Sequence, residues 1–154
     1  MPAEERTMVR EVNLTTARNL SPIFDEVVRK EHPVMIVRGC HERGLLVSRE
    51  TLLRVLNQYE FHVDLLPEDD DSFTLWLKEL ETGGTGRTLP EARQDLLSSV
   101  RSYVRNYLQQ FDFNRHLPYM ARQEPHVLRL SLAKNDSELI EMIFGRSEEN
   151  SAAA

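Results

Sequence analysis

Five histidines, one cysteine and a run of four carboxylates are the residues whose chemistry stands out in this chain, and their spacing argues against most of it. His32, His41, His62, His116 and His126 are scattered. They form no HxH pair and no HExxH, so no zinc site is spelled and surface or structural histidines are the favoured reading. Cys40 precedes His41, and a neighbouring imidazole can lower a thiol's pKa. Adjacent residues on an extended strand nevertheless point to opposite faces, which favours an ordinary turn cysteine over the nucleophile of a small hydrolase. Glu68, Asp69, Asp70 and Asp71 offer oxygen ligands to a hard cation. They lack the distal glutamate and central glycine of a calcium loop, so a solvated turn is favoured. Gly83, Gly84 and Gly86 of TGGTGR fit neither GxxxxGK(S/T) nor GxGxxG, and the segment reads as a flexible linker rather than a phosphate cradle. No catalytic residue, metal or cofactor is expected.

Residues suited to binding are more informative. A helix beginning at Thr15 would put Arg18 in its first turn, where free backbone N–H groups and the helix dipole already favour a phosphate. Arg38 closes an apolar strand beside a hairpin tip, and Arg43 flanks that tip on the other side. Trp76 alternates away from Phe73, Leu75 and Leu77, which marks it as an exposed contact residue or one covered by later helices.

The elements that must hold these residues follow from periodicity. MVREVNL, 8–14, alternates as a short strand. Thr15 then offers a helix cap, and Leu20, Ile23, Phe24, Val27 and Val28 keep the spacing of an amphipathic helix that ends near Glu31, stopped by His32-Pro33. Pro22 interrupts that helix, so a kink, or a restart with Ser21 as cap and Pro22 in first position, is expected. Residues 33–39 and 44–48 read as a hairpin around the turn CHER. Ser48 caps a helix bearing Leu52, Leu53, Val55 and Leu56. Two further alternating runs, 61–66 and 73–78, make a second hairpin around PEDDDS. Thr88 as cap, Pro90 in the first turn and Glu91 as capping box open a long helix through Leu108. Broken helix is expected after Asp112, then a short final helix over DSELIEMIF with Asp136 as its cap.

Residues 1–60 carry nine Lys/Arg and nine Asp/Glu, whereas 61–154 carry ten and sixteen, so the net charge of −6 lies in the second half. That division permits an anionic partner at one end and a cationic one at the other. No basic segment followed by an apolar run occurs near Met1, and no stretch approaches the roughly 18 apolar residues of a membrane span, so a cytoplasmic protein without a membrane partner is expected. A single cysteine excludes an internal disulfide.

Residues 9–56 resemble the N-terminal domain of the Phd/YefM (prevent-host-death) antitoxins. The resemblance is carried by Ala17-Arg18, Asn19-Leu20-Ser21, Asp25-Glu26-Val27, the proline-led strand from Pro33 to Gly39 and the strand from Gly44 to Ser48. It implies an antitoxin that forms a homodimer through the sheet of this domain, binds operator DNA as that dimer and neutralises a toxin with its C-terminal region. The family's DNA-contacting arginines correspond to Arg18 and Arg38, and with Asn19 and Arg43 they make the expected DNA-binding set. The family has one more residue between the AR arginine and the asparagine, so here Ala17 falls at that arginine's helical phase and Arg18 is turned from it by about 100°. The second half is similar to the larger PHD-like subgroup of RelE/RelB-type systems, and GRTLPEARQDLLSSVRSYV is similar to the strand-to-helix passage of HicB-type antitoxins.

The resulting expectation is an α+β chain with loose ends at 1–7 and 145–154. A Phd/YefM-like strand-helix-hairpin-helix domain spans 8–60, and a toxin-binding region of hairpin, long helix and shorter helices spans 61–144. It would repress its own operon and cover a basic, RelE-like ribonuclease toxin with Trp76, Asp69, Asp70 and Asp71. The alternative is an interaction module of the same fold without DNA binding.

Overall fold

The computed structural model describes residues 10–145. The expectations for 1–7, for most of the tail and for Met8 and Val9 of the first strand lie outside the described residues. The chain divides into two compact units between Val55 and Leu56.

The first unit opens with β1 (Arg10–Asn13), whose end is closed by the Asn13 side chain accepting from the Thr15 N–H at 2.9 Å. The continuous helix expected from Thr15 is not formed. A single 3₁₀ turn spans Thr16–Arg18, Asn19 breaks it at φ −91°, ψ 82°, and α1 runs Leu20–Arg29. Thr15 makes no side-chain cap. Pro22 is the reason: inside a helix begun at Thr15 it would remove a hydrogen bond and crowd the Arg18 carbonyl. At the third position of α1 its missing N–H has no intrahelical acceptor to lose. The restart thus falls two residues earlier than a Ser21 cap would place it, with Asn19 rather than Ser21 preceding the first helical residue.

β2 (Val34–Arg38) pairs parallel with β1, Val12 opposite Ile36, through the α1 crossover. β3 (Glu42–Leu46) pairs antiparallel with β2, Arg38 opposite Glu42. The turn is Gly39 to His41, with Gly39 at φ +61°, so Glu42 and Arg43 belong to the strand rather than to the expected turn. Val12 and Val34 of the sheet bury against Ile23 and Val27 of α1, with Leu46 beside them. Only that row of α1 faces the core, because Leu20, Phe24 and Val28 are exposed. Ser48 caps α2 (Arg49–Leu56), its hydroxyl oxygen accepting from the Thr51 N–H at 3.1 Å. On α2, Leu56 is buried and Val55 exposed.

The second unit holds β4 (Val63–Pro67), β5 (Phe73–Leu77) and β6 (Thr82–Gly86) in one antiparallel sheet of order β4-β5-β6. TGGTGR is therefore mostly a strand, not a linker. Its glycines admit the long helix α3 (Leu89–Gln109) onto the sheet. A Cβ on Gly84 would stand 2.1 Å from the Leu96 nitrogen, and one on Gly86 2.4 Å from the Ala92 nitrogen. The helix also closes the free edge of β6: Asp95 accepts from the Thr85 N–H at 2.8 Å and Glu91 from the Arg87 N–H at 2.9 Å. Unpaired edge groups invite unwanted strand pairing, and these carboxylates occupy them. Thr88 caps α3 by accepting from the Glu91 N–H, as its capping-box sequence requires.

The chain then breaks into α4 (Phe111–Asn114), α5 (Pro118–Ala121), α6 (Glu124–Ser131) and α7 (Asp136–Phe144). Asn135, not Asp136, caps α7, accepting from the Glu138 N–H at 2.9 Å. Val127, Leu130, Leu139 and Ile143 pack with Leu96, Leu97, Val100 and Val104 of α3 and Leu75 and Leu77 of β5. Tyr107 donates to the Met120 carbonyl at 2.5 Å, and buried Asn114 donates to the Tyr107 carbonyl at 3.0 Å. The architecture is α+β, with two small sheets and seven α-helices among the described residues.

Candidate functional site

Strand alternation sorts β4, β5 and β6 into two faces. Leu75 and Leu77 turn inward under α3 and are buried. Trp76, with its register partners Asp64 on β4 and Gly83 on β6, turns outward, as do Thr74, Leu66 and Thr85. Trp76 is 37% exposed and Leu66 44%. The indole lies over Gly83, where a Cβ would come within 3.0 Å of ring atom Cε3. Lys78 reaches Asp64 at 3.2 Å, and the Thr74 hydroxyl donates to Glu68 at 2.7 Å.

The acidic run at the tip of this hairpin has an internal order. Asp71 takes φ +63°, and Asp70 accepts from both the backbone N–H and the hydroxyl of Ser72. The Ser72 hydroxyl, then its N–H, holds the Asp70 carboxyl below the usual range. These four carboxylates are exposed, and among the described residues no group of three or more His, Cys, Asp or Glu is placed to hold a metal ion.

In the first unit, the arginines expected to act together are separated. Arg18 sits in the 3₁₀ turn, exposed, its backbone N–H donating to the Thr15 carbonyl and its guanidinium without a hydrogen-bond or ion-pair partner among the described residues. Arg38 is bonded by its Nε to Glu42, and Arg43 by its Nη1 to Glu11 at 2.5 Å. Strand alternation puts Arg38 on the face of the sheet that carries Val34 and Val12, and Arg43 on the opposite face with Met35 and Leu45. Asn19 breaks the chain between the 3₁₀ turn and α1. Beside Leu14 and Leu45, both exposed, a shallow groove of about 480 Å³ is lined by Ile36, Arg38, Arg43 and Leu46. Cys40 is exposed in the hairpin turn.

Two residues of the second unit prove to be organised: His126, one of the scattered histidines, and Arg129, which the sequence did not single out. Arg129 donates to the Tyr59 carbonyl at 2.7 Å and to Asn57 at 3.3 Å, and its guanidinium lies 5.4 Å from the Phe61 ring centre. His126 Nε2 lies 3.1 Å from the Glu60 carbonyl, with its ring edge-on to Tyr59 and Phe61. Burial lowers the pKa of both groups. Nothing in their spacing foretold this clamp, because its partners lie about seventy positions earlier in the chain. A second groove, about 330 Å³, runs between α3 and the α6–α7 turn, lined by Val104, Leu108 and Leu139 with Arg101, Arg105 and Lys134. Arg101 is bonded to Asp136. No helix among the described residues is long and apolar enough to cross a membrane.

Comparison with known proteins adds two findings. A family model described as PHD-like, antitoxin of toxin-antitoxin, RelE/RelB, TA system, matches residues 8–145. A crystal structure from Syntrophomonas wolfei subsp. wolfei, described as the antitoxin part of a proposed toxin/antitoxin system, superposes with a TM-score of 0.72 at 23% identity. The match covers 88% of this chain and 97% of that one. No curated protein matches.

Proposed function

The chain belongs to the PHD-like antitoxins of RelE/RelB toxin–antitoxin systems, and on that premise we propose that its second unit covers a basic, RelE-like ribonuclease toxin while its first unit binds operator DNA as a homodimer. The observation that carries the toxin half is the outer face of β4-β5-β6. Exposed apolar Trp76 and Leu66 stand there with Asp64 and Glu68, and the hairpin tip that continues β4 adds the exposed carboxylates Asp69, Asp70 and Asp71. A toxin that cleaves RNA presents cations to phosphates, and a surface of aromatic anchor plus carboxylates complements such a site by shape and by sign. Inhibition is then steric and electrostatic and asks no catalysis of this chain.

Arg18 supports the DNA half, since a guanidinium that meets no carboxylate among the described residues is available to a phosphate without breaking an ion pair with any of them. Leu14 and Leu45 supply exposed apolar surface for a dimer formed through the first sheet. A domain division near residue 60, with dimerisation and DNA binding before it and toxin binding after it, belongs to the same proposal, as does a cytoplasmic setting.

A second reading, an interaction module of this fold without DNA binding, is favoured by one fact: Arg38 and Arg43 are already engaged by Glu42 and Glu11. Two measurements decide. The tagged chain should co-purify with the product of the adjacent reading frame and restore growth when that product is expressed. It should also shift its own promoter fragment at low salt, with a steep loss as salt rises. Absence of a shift at low salt would overturn the repressor half and leave the module.

A further inference from the structure

We infer that the outer face of β4-β5-β6 is a platform for guanidinium groups: it takes an arginine side chain of the partner against the open side of Trp76, with Asp64 as the carboxylate beside it. The inference rests on the proposed toxin-binding reading and names the chemistry by which that face selects its occupant.

Three features of the face point to this ligand. The indole sits against Gly83, where a Cβ would approach Cε3 to 3.0 Å, tighter than an ordinary contact. Its remaining surface, 37% exposed, turns away from the α3 side of the sheet. A ring held in this way presents a fixed π surface, and tryptophan is the aromatic side chain that attracts a cation most strongly.

Charge supplies the second feature. Directly across the strand pair from Trp76 stands Asp64, and Glu68 lies on the same face, fixed by the Thr74 hydroxyl. Lys78, the cation on this face, is held at Asp64 at 3.2 Å, and Arg87 lies just beyond the end of β6. Against these two cations the hairpin from 64 to 71 carries five carboxylates, so the face attracts a basic partner and not an acidic one.

The third feature selects arginine over lysine. A guanidinium is planar and weakly hydrated, so it stacks on an indole and still reaches a neighbouring carboxylate with its edge; an ammonium is a hydrated point that does one or the other. The chain uses the same pairing internally, with Arg129 near Phe61 and Arg93 4.8 Å from the Phe144 ring centre. Leu66 extends the apolar floor for the aliphatic stem of the incoming side chain.

Trp76 is the only tryptophan in the chain, so its fluorescence reports on this face alone. The full-length protein is titrated with octa-arginine and, separately, octa-lysine at low salt. Octa-arginine should change the Trp76 emission and bind about three- to fivefold more tightly, the range of an exposed cation–π contact. By calorimetry, Trp76→Leu should bind both peptides equally with its melting temperature unchanged, while Trp76→Phe should retain part of the preference. Equal affinity of the wild type for both peptides, or an arginine preference that survives in Trp76→Leu, overturns the platform. The toxin reading is tested apart from it. If the adjacent gene product binds Trp76→Leu as tightly as wild type, the platform is wrong and the reading stands. If it binds neither protein, the reading is wrong and the peptide titration alone judges the platform.

Discussion

Gly84 of β6 lies so close beneath Leu96 of α3 that a Cβ at residue 84 would stand 2.1 Å from the Leu96 backbone nitrogen and 2.6 Å from the Ala92 carbonyl oxygen. Both obstacles are helix backbone, which cannot swing aside. Gly84→Ala should therefore push α3 off the sheet and destabilise the second unit by about 3 kcal/mol or more, the upper range for an overpacked core. Thermal unfolding checks this, with Gly39→Ala as a contrast. At Gly39 nothing lies within 4 Å, and the strain comes only from its φ of +61°. An unchanged melting temperature for Gly84→Ala would refute the close packing.

His126 should make the second unit acid-sensitive. Burial is the main cause of its lowered pKa, aided by the charges of Arg129 and His62, while the Glu60 carbonyl and the Glu79 carboxylate act in the opposite sense. A histidine whose folded pKa is lowered binds its proton more readily when unfolded. Its contribution is complete above the unfolded value of about 6.5 and is lost as pH falls through the folded pKa. Stability measured by urea unfolding should drop from pH 7.5 to pH 5, and His126→Gln should flatten part of that slope. A variant with the wild-type slope would exclude His126 as the source.

The Arg129 clamp should resist conservative replacement. Its guanidinium serves the Tyr59 carbonyl, Asn57 and the Phe61 ring together. Arg129→Ala should cost on the order of 2 kcal/mol, as for a hydrogen bond to a charged group. Arg129→Lys should recover little of it, because an ammonium has no fork and stacks poorly. Full recovery by lysine in denaturant unfolding would show that charge alone matters at this position.

On promoter DNA, Arg18 and Arg38 should behave differently. Each arginine that meets a phosphate adds about one unit to the slope of log affinity against log salt, so Arg18→Ala should lower that slope by about one. Arg38 must first leave Glu42. Glu42→Gln should therefore tighten DNA binding by a few fold, and Arg38→Ala in that background should erase the gain. Mobility shifts across a salt series read both, and indifference to all three substitutions would remove these residues from the DNA contact.

The elements legible along the chain are those whose cause is local. Thr88, Pro90 and Glu91 announce α3 because the capping hydroxyl, the first-turn proline and a carboxylate that reaches back to the Arg87 N–H lie within one turn of one another. Period-two alternation marks β4 and β5 and turns Trp76 away from Leu75 and Leu77, since a pleated strand has no other way to place successive side chains. Pro22 marks an interruption in the first helix for the same kind of reason, although its exact position depended on where the first turn began.

Tertiary structure decided the rest, because contacts between distant residues leave no periodicity to read. Glycines 83, 84 and 86 look like a linker until α3 and Trp76 are known to need the space of the missing side chains. Asp64 and Gly83 join Trp76 on one face only through strand register, and His126 and Arg129 acquire their role only when residues 57–61 arrive beside them. Arg38 and Arg43, near neighbours in sequence, part to opposite faces of a sheet and meet their carboxylates there. Local sequence states what each segment prefers to be; which side chains then face one another depends on distances that only packing sets.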